Sequence, residues 1–164
     1  RGLHAGFRAL VASYGHMGIE ADLTKMSKKD VEIMRQAVAR HKQDRDIWHS
    51  GTFHRIKTVD KNLIGALSVS QDQTAARLVL AEIDRPRSTV PPRIRIPGLN
   101  PEKTYHVSCK TMTEQVKKAN RSFNNPLFSG GMEINGRVLE TVGIGLPSLY
   151  AQTGLAIAFD AVNF

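Results

Sequence analysis

Residues 63–83 read LIGALSVSQDQTAARLVLAEI, a stretch in which larger apolar residues alternate with small or polar ones in two runs. Such alternation is typical of strands that bury one face, and it predicts strands at Leu63 to Val69 and Ala75 to Ile83. Seven short strands with frequent turns indicate an antiparallel β-sandwich. The other five predicted strands are Phe53 to Lys57, Arg93 to Ile96, Tyr105 to Cys109, Arg137 to Val142 and Gly154 to Val162.

The first 50 residues follow a different pattern. Apolar residues recur at helical spacing near the N-terminus, and an extended run follows at Ile19 to Leu23. Ser27 and Asp30 then predict the start of a long helix, because a serine side chain caps exposed N–H groups and an acid favours the positive helix end. We therefore expect helix, strand, helix up to a boundary near Gly51. The fold class is α+β, with cooperative stability expected in residues 52–164, which alone supply a self-sufficient set of strands.

The composition is that of an ordinary globular chain with excess positive charge. There are 164 residues, a formal charge of +8 and one cysteine, Cys109, which has no partner for an intrachain disulfide. No run of 18 apolar residues occurs, so we predict neither a membrane span nor a signal peptide and expect a cytoplasmic location. The chain starts at Arg1 and is helical in pattern from Leu3, so we expect it to be cut at its N-terminus.

Glu20 and Asp22 are the first candidates for catalysis. On a strand, residues two positions apart point to the same face, and paired carboxylates are typical of acid and base catalysis. The same spacing also occurs at solvated or salt-bridged positions, and residues 22–24 could instead hold the loop before the capped helix. The sequence leaves both interpretations open.

Metal, cofactor and nucleic-acid sites are not predicted. The six histidines lack the spacing that places two imidazoles on one helix face beside an acid, and Cys109 has no second thiol. Basic residues are scattered, and the groups at 85–87 and 93–95 lack the interleaved aromatic side chains that stack on bases. Neither a G-x-S-x-G elbow nor a phosphate-binding glycine turn occurs in a suitable context.

Two blocks of the first part resemble the C-terminal part of the α-galactosidases of glycoside hydrolase family 36. The first is YGHMGIEADLT at residues 14–24, and the second is the helix with HKQDR at 41–45 and HSG at 49–51. Positions in register with the family in this part are Arg8, Lys42, Arg45, His49, Gly51 and Arg55. The resemblance continues at Gly98, Leu99, Asn100, Pro101, Tyr105, Val107, Gly136, Leu139, Gly143, Leu146 and Pro147.

This resemblance implies that residues 1–50 are the last helix, strand and helix of a catalytic (β/α)8 barrel and that residues 51–164 are the antiparallel sandwich after it. The family cleaves terminal α-linked galactose, of the raffinose or melibiose type, with retention through two aspartates. Neither aspartate motif occurs here, so the catalytic pair is expected upstream of Arg1 and the α-galactoside substrate is expected to bind through the missing barrel. The full-length protein is expected to be a homo-oligomer that binds neither nucleic acid nor membrane.

The sequence departs from the family pattern at two positions, and one other function is considered. Ala21 stands where many members carry tryptophan and His41 where tyrosine is common, so α-N-acetylgalactosaminide substrates and galactosyl transfer stay open. The sandwich has no tryptophan after Trp48, and Tyr105 and Tyr150 are far apart in sequence, which favours a structural and assembly role over sugar binding. The alternative is a non-catalytic sandwich that binds carbohydrate or nucleic acid.

Overall fold

The structure is a computed structural model that describes residues 3–88, 90–119 and 125–162. Its helices are α1 (Ala5–Ala12), α2 (Lys28–Ser50), α3 (Glu114–Ala119), α4 (Pro126–Ser129) and α5 (Gly136–Thr141), with a 3₁₀ helix at Leu23–Lys25. Its strands are β1 (Thr52–Ile56), β2 (Leu63–Val69), β3 (Ala75–Glu82), β4 (Arg93–Ile94), β5 (Thr104–Met112), β6 (Met132–Asn135), β7 (Ile144–Gly145) and β8 (Thr153–Ala161).

The long helix α2 begins and ends where the sequence predicts. The Ser27 hydroxyl accepts a hydrogen bond from the Asp30 backbone N–H at 3.1 Å, which satisfies a donor that the first helical turn leaves free. At the other end, Gly51 N–H donates to the Ile47 carbonyl at 3.0 Å, and β1 starts at the next residue. The direct junction between α2 and β1 keeps the helix beside the sheet.

The predicted strand at Ile19 to Leu23 is wrong. Within the described residues no strand lies between α1 and α2, and residues 16–22 form an irregular loop that leads into the 3₁₀ helix. A strand needs a neighbour for its backbone N–H and C=O groups, and none of the strands described here lies next to this segment. The exposed side chains of Ile19 and Leu23 agree with the absence of such packing.

Six antiparallel strands form the main sheet in the order β1-β2-β3-β8-β5-β6. The final strand β8 inserts between β3 and β5, with Leu78 opposite Ile157 and Val107 opposite Phe159. The last strand of the chain therefore occupies the centre of the sheet, between two strands that precede it by many residues. The strands predicted at 53–57, 63–69, 75–83, 105–109 and 154–162 are confirmed with shifts of a few residues at their ends.

The two faces of the sheet carry different side chains. One face presents large apolar residues that pack into the main core, including Leu67, Leu78, Leu155, Ile157 and Phe159. The opposite face is lined mainly by small residues, because the paired positions there are Ala66 and Val79, Val79 and Ala156, and Ala81 and Gly154. Small side chains let a helix approach closely, and helices α1 and α2 pack on this face.

The contact between helices and sheet is made by specific groups. A Cβ at Gly154 would lie 2.7 Å from the Leu10 side chain, so α1 rests directly on β8. The Ser68 hydroxyl donates to the Ile47 carbonyl at 2.5 Å, and Gln71 Nε2 donates to the Ser50 carbonyl at 2.7 Å. Residues on both sides of Gly51 therefore share one interface.

The second layer of the predicted sandwich is small. It contains the two-residue strands β4 and β7, which pair as Arg93 with Gly145 and Ile94 with Ile144. Helix α5 occupies the position of the strand predicted at 137–142, and that prediction is wrong. The Asn135 side chain accepts from Arg137 N–H at 3.0 Å and so caps a helix, while Gly143 ends it with a φ of +75°. An antiparallel sheet is confirmed, but one of its covering layers is mostly helix and loop.

Candidate functional site

Three histidines that are distant in sequence meet beside α2. The ring centroids of His16 and His49 are 4.4 Å apart, and those of His41 and His49 are 5.8 Å apart. His16 belongs to the loop after α1, whereas His41 and His49 are eight residues apart on α2 and so share one helix face. We call these three residues the histidine cluster.

The loop is held against α2 by contacts of the two residues that follow α1. His41 Nδ1 lies 3.2 Å from the carbonyl oxygen of Ser13, the residue that caps the C-terminus of α1. The Tyr14 and Trp48 rings pack with their centroids 6.4 Å apart. These contacts explain why the glycine-rich loop, with no regular structure of its own, has a defined position next to the helix.

The histidine cluster lines a cavity of about 300 Å³ together with basic and apolar side chains. Lys42 and Arg45 of α2 contribute the positive charges, and Met17 and Val38 contribute the apolar wall. In the described residues no group of three potential ligands has the geometry to hold a metal ion. Positive neighbours disfavour a bound cation, so this arrangement suits a neutral or anionic group that accepts hydrogen bonds.

Glu20 and Asp22 lie in the same loop, but both are exposed. Asp22 Oδ1 accepts hydrogen bonds from the Thr24 hydroxyl at 2.6 Å and the Thr24 N–H at 3.0 Å, which lower the pKa of the Asp22 carboxyl. Lys25 Nζ lies 3.3 Å from Asp22 Oδ2. Asp22 thus caps the 3₁₀ helix, as its alternative interpretation predicts. Retaining glycosidases need one carboxyl group with a raised pKa as the acid, whereas the pKa of Asp22 is lowered.

A partly buried charge network fixes α2 to the sheet. Arg77 Nε donates to Asp44 Oδ1 of α2 at 2.6 Å, and Arg77 Nη1 donates to Asp160 Oδ1 of β8 at 2.8 Å. Burial alone would lower the pKa of Arg77, but the hydrogen bonds and charges of the two aspartates outweigh it and raise that pKa. The sequence prediction missed this network. The available signal was an arginine inside the apolar strand at 75–82.

The tyrosines considered for sugar stacking have different environments. Tyr105 is fully buried, where its hydroxyl donates to the Gln73 carbonyl at 2.7 Å and accepts from Asn100 N–H at 2.9 Å. A ring in that position cannot stack on a ligand in solution. Tyr150 is 45% exposed. Burial also raises the pKa of the Cys109 thiol to about 12, which makes it a poor nucleophile.

Comparison with protein families identifies the second part of the chain. The model of the glycosyl hydrolase family 36 C-terminal domain matches residues 64–159, more than half of the sequence. The chain belongs to glycosyl hydrolase family 36. The matched range runs from β2 to β8 and so covers four neighbouring strands at the centre of the sheet.

Relatives extend the family 36 match to the helices. An Escherichia coli alpha-galactosidase is 29% identical over 163 residues and matches 94% of this chain, which spans 22% of that enzyme. Alpha-galactosidase AgaA of Geobacillus stearothermophilus is 32% identical over 105 residues, with 61% of this chain and 14% of the enzyme covered. The chain therefore spans about a fifth or less of the length of these relatives.

Solved family 36 structures share the fold. The crystal structure of AgaA matches 99% of this chain and 20% of the enzyme with a TM-score of 0.79 at 22% identity. The alpha-galactosidase of Lactobacillus brevis matches 96% of this chain and 20% of the enzyme with a TM-score of 0.75 at 22% identity. A variant of AgaA crystallised with raffinose matches with a TM-score of 0.79 at 22% identity, over 99% of this chain and 20% of its own.

Several of the family 36 positions predicted from the sequence fall into two groups in the fold. His16, Lys42, Arg45 and His49 all line the cavity of the histidine cluster. The downstream positions are structural: a Cβ at Gly143 would lie 2.2 Å from the Ile94 carbonyl, and Tyr105 joins two loops inside the core. The sequence blocks therefore combine one group of surface polar residues with a set of packing positions.

Proposed function

We propose that this chain is the C-terminal part of a retaining α-galactosidase, which hydrolyses terminal α-linked galactose from oligosaccharides of the raffinose and melibiose type. The observation that carries the proposal is the similarity to an alpha-galactosidase along nearly the whole chain, helices included. The AgaA variant crystallised with raffinose supports the substrate class. In this proposal residues 1–50 belong to the catalytic barrel and residues 51–164 form the domain that follows it.

The chain contributes structure and assembly to this enzyme, whereas the two catalytic aspartates belong to a part of the protein outside these residues. The exposure of Glu20 and the capping role of Asp22 support this division. The histidine cluster with Lys42 and Arg45 is the group of polar side chains in the barrel part that could contact a hydroxyl-rich substrate. The full-length protein is a cytoplasmic homo-oligomer in this proposal.

A chimera tests the enzymatic assignment. The C-terminal segment of the Escherichia coli alpha-galactosidase that matches this chain is replaced by the chain, and hydrolysis of an aryl α-galactoside is measured. We expect activity well above that of the truncated enzyme and none from the isolated chain, because covalent retention needs both carboxylates. A folded chimera without activity contradicts the proposal. So does turnover by the isolated chain that Glu20→Gln or Asp22→Asn abolishes.

A titration tests whether residues 51–164 have a structural role or bind sugar. Galactose and raffinose are added to the chain while tyrosine and tryptophan fluorescence is followed, with Tyr150→Ala as the variant and Tyr14→Ala as a control in the helical part. We expect no saturable change that depends on Tyr150, because Tyr105 is buried and Tyr150 has no aromatic neighbour among the described residues. Saturable binding in the low-millimolar range that Tyr150→Ala removes indicates a sugar-binding module instead.

A further inference from the structure

A large cavity lies at one end of the main sheet, away from the histidine cluster. Its volume is about 620 Å³, within the range of small-molecule sites, and it is enclosed by the ends of β2 and β3 and by the segments around 85–88 and 146–150. Much of its wall is apolar, including Leu63, Leu146 and Leu149, which are all buried. The cavity can therefore contact an apolar group over much of its surface.

The wall also contains a carboxyl group without a partner. Glu82 ends β3 and is only 2% exposed, and no donor in the described residues forms a hydrogen bond with its Oε1 atom. A buried polar atom that lacks a partner destabilises the fold, and an unpaired buried charge does so more strongly. A ligand whose hydrogen-bond donor reaches the Glu82 carboxyl from the cavity would therefore stabilise this group.

The electrostatic surroundings of Glu82 favour a positive donor. Asp60, a second buried acid, lines the same cavity and is held by Asn62 N–H at 3.0 Å and Arg87 N–H at 2.7 Å, which lower its pKa. Burial, then the charges of Asp60 and Asp84, raise the pKa of Glu82 to about 7. Each of these neighbouring acids repels the ionised form of Glu82, and a bound cation would relieve that repulsion.

The cations of the chain itself do not neutralise Glu82. Arg85 and Arg87 line the cavity, but both side chains are exposed. The charge of Arg87 helps to lower the pKa of Asp60, whereas neither arginine forms a described ion pair with Glu82. Tyr150 is the remaining titratable group on the wall. The Tyr150 backbone N–H donates to Thr153 Oγ1 at 2.9 Å, and Thr153 pairs with Glu82 in the sheet, so the segment opposite the carboxyl is fixed in place.

We propose that this cavity binds an organic ammonium ion, with the nitrogen donating to Glu82 and the alkyl stem lying against Leu146 and Leu149. A primary ammonium group has three donors, and its charge compensates the ionised carboxylates. An inorganic divalent cation fits less well, because no set of three potential ligands with suitable geometry is present among the described residues. The ammonium can come from a free amine or from a lysine side chain of a second copy.

Butylammonium chloride is the probe, and 1-butanol is its neutral counterpart of similar size. Binding to the 164-residue chain is followed through the methyl NMR signals of Leu146 and Leu149 in about 0.15 M salt, where long-range attraction is screened. We expect saturable shifts with butylammonium in the millimolar range and at least fivefold weaker binding of 1-butanol. Binding should strengthen about five- to tenfold from pH 6 to pH 8 as Glu82 ionises.

Two variants and one dilution series complete the test. Glu82→Gln should weaken butylammonium binding at least fivefold at pH 8, whereas Glu140→Gln, at an exposed position of α5, should leave it unchanged. Equal binding of 1-butanol, equal effects of the two variants, tighter binding of calcium chloride than of butylammonium, or no saturable shift at pH 8 each overturns the proposal. If the chain dimerises with rising concentration and butylammonium reverses this, the ammonium group that occupies the cavity is a lysine side chain of a second copy. Binding without dimerisation identifies a free amine.

Discussion

At the residue scale, single buried groups explain why some side chains cannot be exchanged. Tyr105 is fully buried, and its hydroxyl bridges the Gln73 carbonyl and the Asn100 N–H, so one side chain satisfies two backbone groups of separate loops. Gly98 has a φ of +82°, and a Cβ there would lie 2.5 Å from the His54 ring. Both residues belong to the block that resembles the family. The buried ring of Tyr105 and the backbone conformation of Gly98 account for that resemblance without a catalytic role.

Glu82 gives a pH dependence that one substitution should remove. Its pKa is raised to about 7 in the folded chain from 4.5, so between those values the unfolded state binds fewer protons than the folded state. The free energy of unfolding therefore falls as pH rises through this window and levels off above it. A full shift of this size corresponds to about 3 kcal/mol, and screening by water in the cavity reduces it to about 1–2 kcal/mol.

Chemical denaturation of Glu82→Gln and of the unchanged chain between pH 4.5 and 8.5 measures this effect. We expect the variant to be more stable by about 1–2 kcal/mol at pH 8 and the difference to shrink towards pH 5. Glu140→Gln is the control for removal of an exposed carboxylate. If Glu82→Gln destabilises the chain equally at every pH, the carboxyl has a partner that outweighs its burial.

At the element scale, the helices and strands that the sequence predicts correctly are mainly those with a capping residue or a clear alternation of apolar residues. The serine cap of α2 and the alternation in β2, β3 and β8 each act within a few residues. The segment at 137–142 has apolar residues at positions that fit a short helix or a short strand, and the Asn135 cap decided the outcome. Strands β6 and β7 have four and two residues, too few to show a period.

Sequence reasoning could find parts of the candidate site but not its assembly. The blocks that contain His16 and His49 were found separately, yet their contact depends on how the loop folds back onto α2. The position of β8 between β3 and β5 likewise depends on residues about 80 positions apart, such as Arg77 and Ala158. Local patterns predict each strand but not its distant partner, because that pairing depends on contacts between residues far apart in sequence.

Replacement of Arg77 should weaken the packing of α2 on the sheet. Arg77→Ala leaves Asp44 and Asp160 without their shared cation and opens space at a site where the Arg77 side chain is only 14% exposed. We expect the free energy of unfolding to fall by about 2–3 kcal/mol, since removal of one member of a buried charge network leaves the others uncompensated. Urea denaturation followed by circular dichroism provides the measurement.

Arg35→Ala is the matched control for Arg77→Ala. Arg35 pairs with Glu32 on the outer surface of the same helix, where the Arg35 side chain is 70% exposed, so solvent screens the interaction. No measurable loss of stability is expected there. Similar losses for the two variants indicate a general effect of charge on α2 rather than a specific contact with β3 and β8.

At the scale of the whole molecule, the packing of the helices changes the expected distribution of stability. The strand content alone places cooperative stability in residues 52–164. In the structure, however, Ala9 and Ala37 are buried at 3% and 2% exposure, and α1 and α2 cover the small-residue face of the sheet. Exposing that face would cost the free energy of its apolar burial, so the helices stabilise the sheet and depend on it.

Hydrogen exchange distinguishes one cooperative unit from two. We expect the amides of the second half of α2 to be protected nearly as well as those of β3 and β8, because Ser68, Gln71 and Arg77 bind that half of the helix to the sheet. Residues 16–22, which form an irregular and mostly exposed loop, should exchange faster than the two helices α1 and α2. Arg77→Ala should lower the protection of α2 more than that of β8, since β8 keeps its ladder with β3 and β5. Uniformly weak protection before Gly51 that Arg77→Ala leaves unchanged would contradict a single cooperative unit. Residues 52–164 would then unfold cooperatively without the helices.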